Sequence, residues 1–402
     1  MRWVWVIAML WLGGCKLEQL DEVITPVDPE RSVKVYGWNP AALERVRDNL
    51  SDPRYAAAYA ALLKDAEKAS LAQPLAVTQK TQTPPSNDPH DYYSLAPYYW
   101  PNPSTPDGLP WESRDGEVNP ESRLIPDHDH LDDTADNVIT LAMAFYFSRR
   151  ERYAQEATEL LQVWFLSPAT AMNPNLTYAQ LRPGAAAGKV YNGIIEARIL
   201  AEMVDAVGFL EDSKSWTADH QAAFKTWCRQ YLDWLLGSPQ GLDEAEANNN
   251  RWSWYAAQVV ALSLRVGDIE QAGVWLNQAQ QTLEAQIQPG GNQPQELRRT
   301  LALSYSTFNL EAYFRLAAMG QAVGFSLWTF RDLRLRRGLE FILPYTTGKL
   351  AWPYQQIRPF EKERMVPLLL HSISVYGNPE DKKALSELGL DGAQDRANLL
   401  YP

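Results

Sequence analysis

The 402-residue chain contains only two cysteines, Cys15 and Cys228, so no disulfide framework holds it together. Long apolar runs are missing too. The longest candidate, Trp3 to Leu12, is far shorter than the roughly 20 residues of a membrane-crossing helix, and no later stretch comes close. Basic residues are outnumbered, 37 Lys+Arg against 49 Asp+Glu, for a net charge of −12. That balance argues against nucleic acid as the partner and, taken alone, against any polyanion, so an anionic polymer would need a local basic cleft. What the chain does have is 46% hydrophobic residues with 15 Trp and 19 Tyr. These allow a large core, and the rings suit sugar faces as well as packing.

The N-terminus carries one charge (Arg2), the apolar run, and two small residues before Cys15, which is the pattern of an export signal. Leu12-Gly13-Gly14-Cys15 resembles a bacterial lipobox, which implies lipidation of Cys15. A plain cleaved signal with an incidental cysteine is the alternative. The expectation is an exported lipoprotein of the cell envelope, periplasmic or outer-membrane, that touches the membrane through its anchor alone. Residues 1–15 are then signal and lipobox, and 16–32, with Pro26 and Pro29, a flexible tether. Residues 33–402 form a single domain. Cys228 reads as a buried helix thiol.

Within that body, apolar residues recur at three- and four-residue spacings. They predict helices over Ala41–Leu50, Arg54–Ala69, Thr134–Phe147, Tyr153–Phe165, Gly193–Val207 and Thr217–Leu236, and again over Trp254–Leu264, Ile269–Gln286, Ser306–Met319, Phe330–Leu343 and Lys362–Val375. No alternating strand pattern rivals them. Helices of this length joined by mostly short loops predict an all-α array of helical hairpins. The lack of a fixed-length repeat favours a closed α/α toroid, or incomplete α/α barrel, over an open solenoid. One long irregular stretch, Thr78 to Asp133, rich in Pro, Asp, Asn, Tyr and Trp, is expected to be functional and to lie over a cleft.

The motifs His90-Asp91-Tyr92-Tyr93-Ser94, Pro97-Tyr98-Tyr99-Trp100-Pro101 and Arg114-Asp115-Gly116-Glu117 are followed, in order, by Asn173-Pro174-Asn175, Asn249-Asn250, Trp254-Tyr255, Glu296-Leu297, Arg299-Thr300, Tyr305-Ser306 and Trp352-Pro353-Tyr354. Together they resemble the alginate lyase family over most of the body. The resemblance implies an α/α toroid and β-elimination on a 4-linked uronic-acid polymer of the alginate or glucuronan type. It departs from the family at one place: the histidine that usually follows the second asparagine is Arg251 here.

β-Elimination needs three services. The C6 carboxylate must be neutralised so that charge can spread into it, a base must remove the C5 proton, and an acid must protonate the oxygen leaving C4. Asn249, Asn250, Arg251 and Arg299 offer amides and planar guanidiniums for the first. A helix N-cap is the competing role for the asparagines. Arginine cannot serve as a base, so the acid and base roles pass to Tyr305, whose pKa near 10 is expected to be lowered by Arg251 and Arg299. Arg298 shares a helical face with Tyr305 if the segment is one continuous helix.

Candidate substrate contacts are Tyr92, Tyr98, Tyr99, Trp100, His128, Trp254, Tyr255 and Arg298. Asp127-His128-Asp129-His130 reads as a polar loop in which alternating residues rarely converge on a metal, although His128 or His130 could supply the missing imidazole. The chemistry calls for no metal and no cofactor. The partner is the polysaccharide itself, and oligomeric state is not legible. Two rival readings are an inverting glycoside hydrolase using Glu196 with Asp127, and a glycan-binding lipoprotein in which Arg251 has ended the chemistry. The arginines at 331, 334, 336 and 337 form a second basic cluster, either solvated or facing substrate.

Overall fold

The computed structural model describes residues 33–185, 192–390 and 392–402. The expected export signal, Cys15 and the expected tether lie outside the described residues. The body, from Val33 to Pro402, is built from helical hairpins with very little sheet.

The chain opens with α1 (Pro40–Asp48) and α2 (Pro53–Ala69). Each starts on a proline behind a capping side chain, Asn39 and Asp52, whose oxygens take an orphan backbone N–H of the first turn. After the irregular stretch come α3 (Asp127–Ser148), α4 (Glu151–Leu161), the short α5 (Leu200–Ala206), α6 (Ala218–Gly237) and α7 (Pro239–Ala245). Then follow α8 (Asn250–Val266), α9 (Ile269–Gln286), the single turn α10 (Pro294–Leu297), α11 (Ala302–Ala322), α12 (Phe330–Thr346), α13 (Met365–Tyr376), α14 (Pro379–Leu388) and α15 (Ala397–Leu400).

Neighbours in sequence pair as hairpins, α3 with α4, α8 with α9 and α13 with α14, and α8 also packs against α5, α6 and α11. This explains why nearly all of α8 is buried. Closure comes at the end of the chain, where α15 packs against α1, α2 and α13. There the Tyr401 ring stacks on buried His371 at 3.9 Å. The fold is an α/α toroid, as the helical periodicity predicted. Among the described residues no helix is long and apolar enough to cross a membrane.

Three features differ from the sequence reading, and the first two bear on the site. Helix α3 begins seven residues earlier than its apolar stripe, so Asp127 to His130 form its first turn and not a loop. The polar start hid the helix from a hydrophobic count. The segment from Arg298 to Tyr305 is broken, because α10 ends at Leu297 and α11 starts at Ala302, so Arg298 and Tyr305 do not share a helical face. Residues 331–333 at the start of α12 are left-handed, with φ of 46, 55 and 60°.

The irregular stretch is anchored at two edges. Strand β1 (Tyr93–Leu95) runs parallel to β4 (Tyr178–Leu181), and β2 (Tyr99–Trp100) pairs antiparallel with β3 (Glu112–Ser113). Gly193 lets the next segment approach β4 closely: a Cβ there would lie 2.4 Å from that of Ala179. Backbone bonds from Ala302 to Gln355 and from Ile357 to Thr300 tie the C-terminal loop to the segment after α10. These anchors set the walls of one large cleft.

Candidate active site

The cleft, of about 950 Å³, is lined by the loop at 96–99, the first turn of α3, the segment 192–202, the start of α8, residues 299–308 and the loop at 358–364. Six of its lining residues are arginines, at 198, 251, 299, 315, 358 and 364. A chain with net charge −12 thus concentrates positive groups where it is concave. Five of them are each matched to acids: Arg198 to Asp132, Arg251 to Asp243 and Glu244, Arg299 to Asp115, Arg315 to Glu202 and Arg364 to Glu311. Arg358 donates to the Gly116 carbonyl at 2.8 Å and has no carboxylate partner among the described residues.

The start of α8 divides the asparagine pair. Asn249 is the N-cap, its Oδ1 accepting from the Arg251 N–H at 3.1 Å, and it does not line the cleft. Asn250 does. Its backbone N–H and Nδ2 both donate to Glu296, at 2.8 and 2.7 Å, which fixes the amide. Glu296 is buried, and that burial raises its pKa against the pull of the Asn250 donors. Arg251 lines the cleft with Nη2 2.8 Å from Asp243 and Nε 2.9 Å from Glu244. Burial pushes the Glu244 carboxyl up to about 7, although Arg251 pulls the other way.

Arg299 meets both an acid and an aromatic ring. Its Nε and Nη2 donate to the two oxygens of Asp115, at 3.0 and 2.6 Å, and its guanidinium carbon lies 3.8 Å from the centroid of the Tyr305 ring. Asp115 also takes the Thr300 N–H, so a residue of the irregular stretch holds the arginine over the tyrosine. The Tyr305 hydroxyl is buried and makes no hydrogen bond of good geometry, although the Tyr98 hydroxyl lies close enough to act on it. Burial, then the neighbouring Tyr98, raise its pKa above 10, and Arg299 opposes them without prevailing. The expected lowering does not occur. Desolvation outweighs one arginine already shared with Asp115, and Arg251 is taken up by its two acids. Tyr305 therefore holds its proton.

The other candidates divide by burial. Tyr98, Tyr99, His128 and Trp254 line the cleft. Tyr99 carries the Arg182 guanidinium 4.2 Å from its ring centroid, and Trp254 donates to the Phe308 carbonyl at 3.1 Å. Tyr92 and Tyr255 do not fit the role of substrate contacts. They are 0% and 1% exposed, with hydroxyls bonded to Glu196 and the Leu235 carbonyl. Trp100, bonded to the Glu117 carbonyl, and Arg298, an exposed side chain reaching Gln295, lie outside the cleft lining.

The hydrolase pair fails on the same ground. Asp127 is wholly buried against Lys80, and Glu196 is buried accepting from Tyr92 and Ser94, so neither presents a free carboxylate. No group of side chains suited to a metal occurs among the described residues. Asp115, Glu244 and Glu296 are the functional neighbours that the sequence reading left without a role. Asp115 and Glu296 stood inside quoted motifs, but nothing in one sequence says which arginine or amide an acid will meet.

An all-α toroid with an arginine-lined cleft and an aromatic wall defines a class of carbohydrate-active protein. Residues 76–352 match the model of the alginate lyase family, described as alginate lyase. The chain resembles the crystal structure of an alginate lyase from Bacteroides ovatus, with 36% identity over 92% of this chain and 99% of that one and a TM-score of 0.86. Alginate lyase A1-III from Sphingomonas species A1 shares the fold at 16% identity, TM-score 0.59, over 93% of this chain and 98% of that one. A variant of that enzyme complexed with a tetrasaccharide superposes at 15% identity and TM-score 0.60, over 93% and 97%. No curated protein sequence matches the chain. The chain belongs to the alginate lyase family and is a polysaccharide lyase.

Proposed function

We propose that the protein cleaves a 4-linked uronic-acid polymer of the alginate or glucuronan type by β-elimination. The observation that carries this reading is Arg299 lying 3.8 Å over the ring of Tyr305, whose hydroxyl is buried, in the cleft shared with Asn250 and Arg251. The Asn250 amide and the Arg251 and Arg299 guanidiniums neutralise the C6 carboxylate as charge develops on it. Arg358, with no carboxylate partner among the described residues, supplies a further cation for the polymer. Tyr305 donates its proton to the oxygen leaving C4, a role that suits a phenol held neutral by its surroundings. Tyr98, Tyr99 and Trp254 offer ring faces to the sugars. The chain acts, on this reading, as an exported enzyme anchored through Cys15. Labelling with a radioactive fatty acid, compared with a Cys15→Ala variant, tests that part.

The activity is tested by incubating the protein with alginate and with glucuronan while following the ultraviolet absorbance of the unsaturated end that elimination creates. Growth of that signal on at least one polymer is the expected result. A folded protein that yields no signal on these or other uronate polymers contradicts the reading.

A further inference from the structure

The two ends of the cleft differ. Its mouth is formed by loops, with Arg358, Pro359 and Glu361 exposed at the rim. From there the lining follows one face of α11 inwards through Tyr305, Phe308, Glu311 and Arg315, at helical spacings of three and four residues. At a helical rise of about 1.5 Å per residue, Arg315 lies about 15 Å deeper along α11 than Tyr305. The line through Ile195, Ile199 and Glu202 reaches the same depth, because Glu202 pairs with Arg315.

Behind that pair the first residues of the body close the way. Asp205, itself buried, accepts the backbone N–H of Tyr36 at 2.8 Å and of Gly37 at 2.7 Å. A Cβ on Gly37 would stand 3.4 Å from Nη1 of Arg315, so this backbone lies against the guanidinium. Trp38 is buried beside it, its ring centroid 5.8 Å from the guanidinium carbon of Arg315 and 5.3 Å from the ring of Phe209. Gly208 lets the segment seat closely, since a Cβ there would meet the Lys34 carbonyl at 2.1 Å. The cleft is blind at Arg315 and open at the rim. Its interior is nevertheless charged: Arg364 with Glu311 and Arg315 with Glu202 continue past Tyr305 to the base, where an apolar wall would reject a uronate.

We propose that the cleft takes its polymer by an end, with the terminal uronate seated at Arg315 and Glu202, and that each cut at Tyr305 releases a short oligosaccharide of one size. This rests on the β-elimination reading and adds its mode of attack. A chain that runs inwards past Tyr305 has to stop where Tyr36, Gly37 and Trp38 back the arginine. Only Nη2 of Arg315 donates to Glu202, and among the described residues no second carboxylate pairs with that guanidinium. It can therefore meet the carboxylate of the last sugar while Glu202 accepts from a hydroxyl. The distance between Tyr305 and this base sets the length of the piece released.

The experiment follows a long polymer that the wild-type chain cleaves, reading the absorbance of unsaturated ends and size-exclusion chromatography on the same samples at low conversion. The expected record is one short oligosaccharide of uniform size growing beside a main peak that keeps its length. A ladder of intermediate lengths, with the main peak shrinking as the absorbance rises, overturns the proposal. Arg315→Gln should lower kcat/KM by about tenfold or more, the loss of a charged hydrogen bond to the terminal sugar, and Arg315→Lys should recover part of it. An Arg315→Gln variant within about twofold of wild type overturns the role given to Arg315. If that variant does not fold, the wild-type chromatogram decides alone. Failure of the underlying reading is separate, because there the wild-type chain itself produces no unsaturated ends.

Discussion

Two regions of the molecule are rich in arginine, and they use it differently. The first turns of α12 carry Arg331, Arg334, Arg336 and Arg337, the densest basic cluster in the sequence. The structure spends all four on the fold. Arg331 pairs with Glu284, Arg334 donates to the Ile287 carbonyl, Arg336 is buried against Asp381, Glu340 and Ser372, and Arg337 donates to the Asp332 carbonyl. None lines the cleft. The cleft arginines come singly from distant parts of the chain and converge only when the toroid closes. Most of them are also paired, but each keeps an edge on open space. Density along a sequence reports local charge, whereas a site for a polyanion is made by convergence.

This contrast can be broken or sharpened by substitution, beginning with the largest expected effect. Tyr305→Phe should lower kcat on the cleaved polymer by about 10²–10⁴-fold while oligosaccharide binding, followed by calorimetry, persists. Arg336→Ala, in the other region, should cost about 3–5 kcal/mol of stability in urea unfolding because Asp381 is left buried without its partner. Its KM should not move.

Glu244 gives a pH signature. Its folded pKa of about 7 stands above its usual value of 4.5, so its contribution is present below about pH 4.5 and is lost as pH rises through 7. Wild-type stability should therefore decline over that window by up to about 3 kcal/mol from this group, and Glu244→Gln should lack the decline. Unfolding curves of both proteins near pH 5 and pH 8 check the sign. The smallest effect is expected from Arg331→Gln, an exposed pair with Glu284, at about 0–1 kcal/mol and no change in turnover.

Much of the architecture was legible because burial imposes periodicity. Ile269–Gln286 was read with the bounds that α9 has, and most other helices within a few residues. The helix start at Asp127 escaped because its first turn is polar, and the continuity of the segment from Arg298 to Tyr305, on which their shared face depended, is broken between Leu297 and Ala302. At the site, Asn250, Arg251, Arg299 and Tyr305 were named from motif order, and the structure brings them into one cleft. Tyr92 and Tyr255 were misplaced since an aromatic in a motif looks the same whether its ring faces sugar or core. The Tyr305 pKa was misjudged in direction because a sequence shows the neighbouring arginine but not the burial, nor Asp115 on the far side of that arginine.

The central claim is that this cleft breaks the C4–O bond by elimination with Tyr305 as the acid. Mass spectrometry of the products from a defined uronate oligosaccharide tests it most directly, with wild type and Tyr305→Phe run side by side. The account predicts that wild type releases a fragment one water lighter than its hydrolytic counterpart, and that Tyr305→Phe releases almost none. Fragments at the hydrolytic mass, or unsaturated fragments formed equally fast without the Tyr305 hydroxyl, would contradict it.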